Sequence, residues 1–98
     1  MIELKVAYQT SDEVMSSGND VKMLYCIPTL MSMETVYKWV CAPHTHLTFP
    51  SSPVIYTKSI GRYECTITHH GKQVTSTSMN VQLIPGALLF KRVHMHEY

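Results

Sequence analysis

Ser59-Ile60-Gly61-Arg62-Tyr63-Glu64-Cys65 opens a run that continues Thr66-Ile67-Thr68 and alternates strictly in character. Tyr63, Cys65 and Ile67 fall on one side, and Arg62, Glu64 and Thr66 on the other. Successive strand side chains point to opposite faces, so this is the pattern of a half-buried strand over Arg62–Thr68. His69-His70-Gly71-Lys72 follows, short and polar with a glycine available for positive φ, and then Val74–Leu83 resumes a strand-like pattern in which Met79, Val81 and Leu83 share a face. Two such runs joined by a short glycine-containing connection predict a hairpin.

Upstream, Val36-Tyr37-Lys38-Trp39-Val40-Cys41 is rich in β-branched and aromatic residues and stops at Pro43. It predicts a central strand with Tyr37, Trp39 and Cys41 turned inward. Val21–Ile27, ended by Pro28, predicts another. Its one irregularity is Lys22, on the side of Leu24 and Cys26 where an apolar residue is expected, and a bulge near Met23 or Leu24 would repair that register. Ile2–Tyr8 alternates Ile2, Leu4, Val6 and Tyr8 against Glu3, Lys5 and Ala7 and predicts a first strand. Ser11–Asp20 reads as a loop. His46–Phe49 and Val54–Lys58 are short candidates separated by Pro50-Ser-Ser-Pro53, which no continuous ladder can cross. Only Thr29–Thr35 has helix-forming composition, and it is too short to be stable alone. The expectation is all-β, with about seven short strands in a sandwich or barrel.

The chain has 98 residues, a net charge of +1, 15% charged and 45% hydrophobic side chains, ten Thr, nine Ser, three Cys and one Trp. That length suits one domain with one modest core. Eight Lys and Arg against seven Asp and Glu cannot form the basic stripe that phosphate backbones require, which argues against a nucleic-acid partner. The longest apolar stretch, Ile84–Phe90, is far short of a membrane span and is broken by Pro85 and Gly86. The N-terminus has no apolar core of a signal peptide, which leaves the compartment open. Residues 1–85 are expected to form the domain and 86–98 a C-terminal linker or tail.

Cys26 on the second predicted strand, Trp39 thirteen positions later, and Tyr63 two before Cys65 stand in the order and spacing of the immunoglobulin superfamily, which the chain resembles from Ile2 to about Pro85. The resemblance implies a two-sheet Greek-key sandwich, a Cys26–Cys65 disulfide between strands B and F, Trp39 packed on the bridge, and Tyr63 as a tyrosine corner. Only 25 residues separate Trp39 from Cys65, so the middle strands are few, as in the constant-2 or intermediate type rather than the variable type. Ser59 stands where the family often carries an acidic residue, which removes the salt bridge made there. A bridge is set against a second reading, two buried thiols in a cytoplasmic domain of the same fold. Cys41 is expected in the core as a thiol, with an intermolecular bridge as its alternative.

Six His invite a metal reading through His44-Thr-His46, His69-His70 and His94-Met-His96, with Cys41, His44 and His46 the densest group. Cys41 points inward, however, and the expected fold puts the His44–His46 turn at the opposite end from His69-His70. No metal or cofactor is expected. No nucleophile elbow, carboxylate pair or phosphate loop is present, so the chain is expected not to be an enzyme. The resemblance then implies non-enzymatic protein–protein recognition, as a domain of an extracellular or cell-surface receptor or adhesion protein beside neighbouring domains. The alternatives are an intracellular scaffold domain with reduced cysteines, or an accessory domain of a larger protein. The expected partner face is the sheet carrying Lys38, Val40, Arg62, Glu64, Thr66, Asn80 and Gln82, with His69 and His70 at its end; a solvated face is its alternative.

Overall fold

A computed structural model of the chain describes residues 2–85. The expected tail, 86–98, and with it His94 and His96, lies outside the described residues. The described residues form eight strands and no helix: β1 (Val6–Gln9), β2 (Glu13–Ser16), β3 (Lys22–Pro28), β4 (Val36–Ala42), β5 (Val54–Thr57), β6 (Gly61–His69), β7 (Lys72–Thr75) and β8 (Met79–Leu83). They make two sheets, one in the order β1-β3-β5 and one in the order β2-β8-β6-β4 with β7 also on β6. All pairings are antiparallel except β2 with β8, which is parallel. The arrangement is consistent with a β-sandwich.

Alternation builds the core. β4 buries Tyr37, Trp39 and Cys41, β6 buries Tyr63, Cys65 and Ile67, and both expose the intervening positions in whole or part. Leu24, Cys26 and Ile55 come from the opposite sheet, and Met79 and Val81 from β8 complete the cluster. Phe49 reaches in from the β4–β5 connection, its ring 5.8 Å from that of Tyr63 and steeply inclined to it.

Several local expectations are corrected. The first strand begins at Val6, and its register shifts between Val6 and Tyr8. That bulge turns Tyr8 outward, where it is 69% exposed, instead of leaving it on the side of Val6. No bulge occurs at Met23 or Leu24: Lys22 to Tyr25 pair continuously with Thr57 to Val54. Lys22 keeps the inward parity because it stands at the strand end, where its Nζ lies 2.7 Å from the Asp20 carboxylate. The hydrogen bonds that carboxylate takes from Lys22 and Ser16 hold it well below the usual carboxylate range.

The predicted loop Ser11–Asp20 contains strand β2. The chain leaves one sheet after Gln9 and joins the other at Glu13, and side chains hold the crossing. Gln9 Nε2 donates to Thr77 Oγ1 (2.8 Å), the Thr77 amide donates back to Gln9 Oε1 (3.2 Å), and the Asn80 amide and side chain both donate to the Asp12 carbonyl. His46–Phe49 forms no strand, and Thr29–Thr35 no helix. The predicted Val74–Leu83 strand is divided. Thr75 pairs with Thr66 and Met79 with Tyr63, so Ser76, Thr77 and Ser78 oppose only Glu64 and Cys65. The extra residue is a bulge, and beyond it Leu83 is 42% exposed rather than buried with Met79 and Val81.

Candidate recognition surfaces

The core around the two strand-borne cysteines is tightly determined. Cys26 and Cys65 are fully buried thiols close enough to share a hydrogen bond, and Cys41 is a third buried thiol. The hydrogen bond with Cys26 and then burial push the Cys65 thiol up, while the same bond holds Cys26 down against its desolvation. Trp39, 4% exposed, donates from Nε1 to the Ser52 carbonyl at 2.8 Å, which ties the β4–β5 connection to the core. Tyr63 Oη donates to the carbonyl of Ser59, four residues upstream, at 2.7 Å and shares a second 2.7 Å bond with Thr57 Oγ1. Ser59 thus contributes through its backbone.

Cys41 explains Gly61. A Cβ at position 61 would stand 2.6 Å from Cys41 Sγ and 2.8 Å from the Ala42 carbonyl oxygen, so the strand can approach this closely only without a side chain. The thiol is enclosed beside Gly61 and Tyr63. The His44 and His46 rings stand edge to face at 6.0 Å. Among the described residues no group of three or more His, Cys, Asp or Glu side chains is gathered for a metal ion.

The face expected from the sequence is assembled by register. Lys38 pairs with Thr66, Val40 with Glu64, Ala42 with Arg62, and Arg62 in turn with Asn80. The side chains of this face are mostly polar, with Thr66 Oγ1 and Thr75 Oγ1 3.0 Å apart and Val40, 48% exposed, among them. His69 and His70 sit at its end. His70, with φ of 49°, and Gly71, with φ of 76°, make the two-residue turn of the β6–β7 hairpin. His69 Nδ1 lies 2.9 Å from Thr35 Oγ1, and His70 Nδ1 lies 3.6 Å from a Glu34 carboxylate oxygen, so both histidines dock on the β3–β4 loop.

The opposite face carries a surface that sequence reading did not single out. On β1-β3-β5 the outward pairs are Tyr8 with Ile27, Tyr25 with Val54, and Met23 with Tyr56. Tyr56 is 66% and Met23 49% exposed, and no Asp, Glu, Lys or Arg stands at an outward position of β3 or β5. The signal was present. Met23, Tyr25 and Ile27 alternate with Leu24, Cys26 and Pro28, so both sides of this strand are apolar, the composition of a strand covered on both faces. No protein-family model matches the chain, and the search of curated proteins found no match.

Proposed function

We propose that this chain is an immunoglobulin-like domain that binds another protein without catalysing a reaction. The fold part of the reading is supported by the adjacency of Cys26 and Cys65, by Trp39 buried beside them, by the Tyr63 hydroxyl reaching back to the Ser59 carbonyl as a tyrosine corner does, and by the first strand dividing between the two sheets. With three strands in one sheet and no strand between β4 and β5, the Greek-key arrangement matches the constant-2 or intermediate type better than the variable type.

One observation carries the binding part: the uncharged outer face of β1-β3-β5, where exposed Tyr8 stands beside Ile27 at one end and exposed Tyr56 beside Met23 at the other. Tyr and Met are enriched where proteins meet, and contiguous apolar area on a small domain marks a surface made to be covered. Tyr8 and Tyr56 supply large rigid contact area at small entropic cost. The polar face with Lys38, Val40, Arg62, Glu64 and Thr66 is the second candidate. The same reading takes the parent as a cell-surface or extracellular protein in which Cys26 and Cys65 would be bridged. A cytoplasmic scaffold domain with reduced cysteines is the rival.

A photoreactive phenylalanine analogue at position 56, and separately at position 62, in the full-length parent protein on its own cells distinguishes the faces. A discrete adduct is expected from position 56, lost when Tyr8 is replaced by Lys. Adducts from position 62 alone would move the site to the polar face, and adducts from neither would overturn the binding reading.

A further inference from the structure

The free side of β4 is unlike the other sheet edges. β6 uses Cys65 and its in-phase neighbours toward β7 and β8, since Cys65 exchanges hydrogen bonds with Ser76 there. Lys38 and Val40 therefore face β6 with their backbone groups, and Tyr37, Trp39 and Cys41 present theirs to the outside. The Tyr37 amide confirms that phase by donating to Ser51 Oγ at 2.9 Å. Among the described residues the Trp39 and Cys41 amides and the Tyr37 and Trp39 carbonyls have no partner. The connection that runs past this edge meets it through Ser51 and Ser52 but pairs with it in no ladder, which Pro43, Pro50 and Pro53 interrupt. It leaves a groove of about 470 Å³ between Val36–Val40 on one side and Thr45, Leu47, Thr48, Phe49 and Ser51 on the other.

The geometry points to this groove as a β-augmentation site that takes an extended acidic peptide segment as an added strand beside β4. The edge from Tyr37 to Cys41 matches a partner strand of about five residues at ~3.3 Å each. A second copy of this chain does not fit, because its own Thr45–Ser51 connection would meet this one when the two β4 edges approached. Alternation assigns the side chains. Residues of the added strand that lie level with Tyr37, Trp39 and Cys41 turn toward half-buried Leu47 and Phe49 and are apolar. Those level with Lys38 turn to the outer face, where Lys38 has no acid within ion-pair distance among the described residues and the acid of this face, Glu64, stands on β6 opposite Val40 rather than opposite Lys38. A carboxylate at that position complements Lys38.

The test uses blocked peptides Val-Glu-Val-Glu-Val and Val-Lys-Val-Lys-Val at millimolar concentration with the full chain. The acidic peptide is expected to slow hydrogen exchange of the Trp39 and Cys41 amides at least tenfold and leave the Ser76 amide unchanged. The same peptide methylated on alternate amides is expected to have no effect. Lys38→Glu is expected to reverse the preference between the two peptides while the melting temperature stays the same. Trp39 and Cys41 amides already protected in the free protein, or unaffected by the acidic peptide, would overturn the site. Equal protection by both peptides would overturn its acidic preference.

Discussion

Tyr37 and Tyr63 are buried tyrosines on neighbouring strands whose hydroxyls meet opposite fates. Tyr63 Oη has two partners, Ser59 O and Thr57 Oγ1, whereas Tyr37 Oη has none among the described residues. Burial first, and the nearby Cys65 and Cys26 thiols second, raise the Tyr37 hydroxyl above its ordinary value. An unsatisfied buried donor costs free energy that a phenylalanine does not. Tyr37→Phe is therefore expected to leave stability unchanged or raise it by about 1 kcal/mol in denaturant unfolding, and Tyr63→Phe to lower it by about 1–3 kcal/mol because Thr57 and Ser59 lose their partner. Equal losses for both would remove the distinction. Burial pushes the Tyr63 hydroxyl from 10.0 up to about 12, helped by the Cys41 thiol and opposed by the Thr57 hydroxyl. The folded state thus keeps a proton that the unfolded chain sheds, and this stabilisation is complete below pH 10 and is lost as pH rises from 10 to 12. The stability gap between wild type and Tyr63→Phe is expected to narrow over that window, and a constant gap would refute the assignment. At this scale the sequence was readable wherever a residue's parity and its strand agreed, as for Tyr63, Trp39 and Cys41. Lys22 misled because a charged end-residue can keep inward parity when Asp20 sits beside it, a contact no spacing rule shows.

Elements were legible in their centres and not at their interruptions. β4 and β6 lie where alternation placed them, because each buries one face and the period decides which. The bulge after Val6 and the bulge at Ser76–Ser78 were not visible, since both depend on what lies opposite. At the second, Ser76 replaces a ladder contact with its side chain: its Oγ accepts from the Cys65 amide at 3.0 Å while its own amide donates to the Cys65 carbonyl at 2.9 Å. The hydroxyl is buried, so Ser76→Ala leaves the Cys65 amide unpaired and is expected to cost about 1–3 kcal/mol. Faster hydrogen exchange at Cys65, with little change at Thr68, would localise the loss, and an unchanged midpoint would show that the bulge tolerates an open donor. The Ser11–Asp20 segment was read as a loop from its Ser, Asp, Gly and Asn content. The four residues Glu13–Ser16 form a strand by pairing with Asn80–Leu83, beside which Asp12 is held by Asn80 and Gln9 by Thr77, all contacts from the far end of the chain.

For the whole molecule, the two faces and the cysteine pair belong to one question, which is how a core this small is held. Eleven buried apolar or thiol side chains make up the cluster, and three of them are cysteines in a chain whose larger sheet contributes eight of the eleven. The smaller sheet therefore adds little, through Leu24, Cys26 and Ile55, and its outward apolar face stabilises nothing until something covers it. A covalent link from β3 to β6 would fasten the small sheet to the large one at the point where the Cys26 and Cys65 thiols already share a hydrogen bond. Its loop of about 39 residues corresponds to roughly 4 kcal/mol in the chain-entropy model, a large share of what a domain of this size has. Protein prepared without reductant from an oxidising host is expected to show one reactive thiol after denaturation, assigned to Cys41, and to lose about 4 kcal/mol of unfolding free energy on reduction. Cys41→Ala should abolish that last thiol without touching the reductant effect. Three reactive thiols in unreduced, denatured protein would instead favour the cytoplasmic reading, in which the small sheet is held by packing alone and covering of its Tyr8, Met23 and Tyr56 face by a partner becomes a condition of stability.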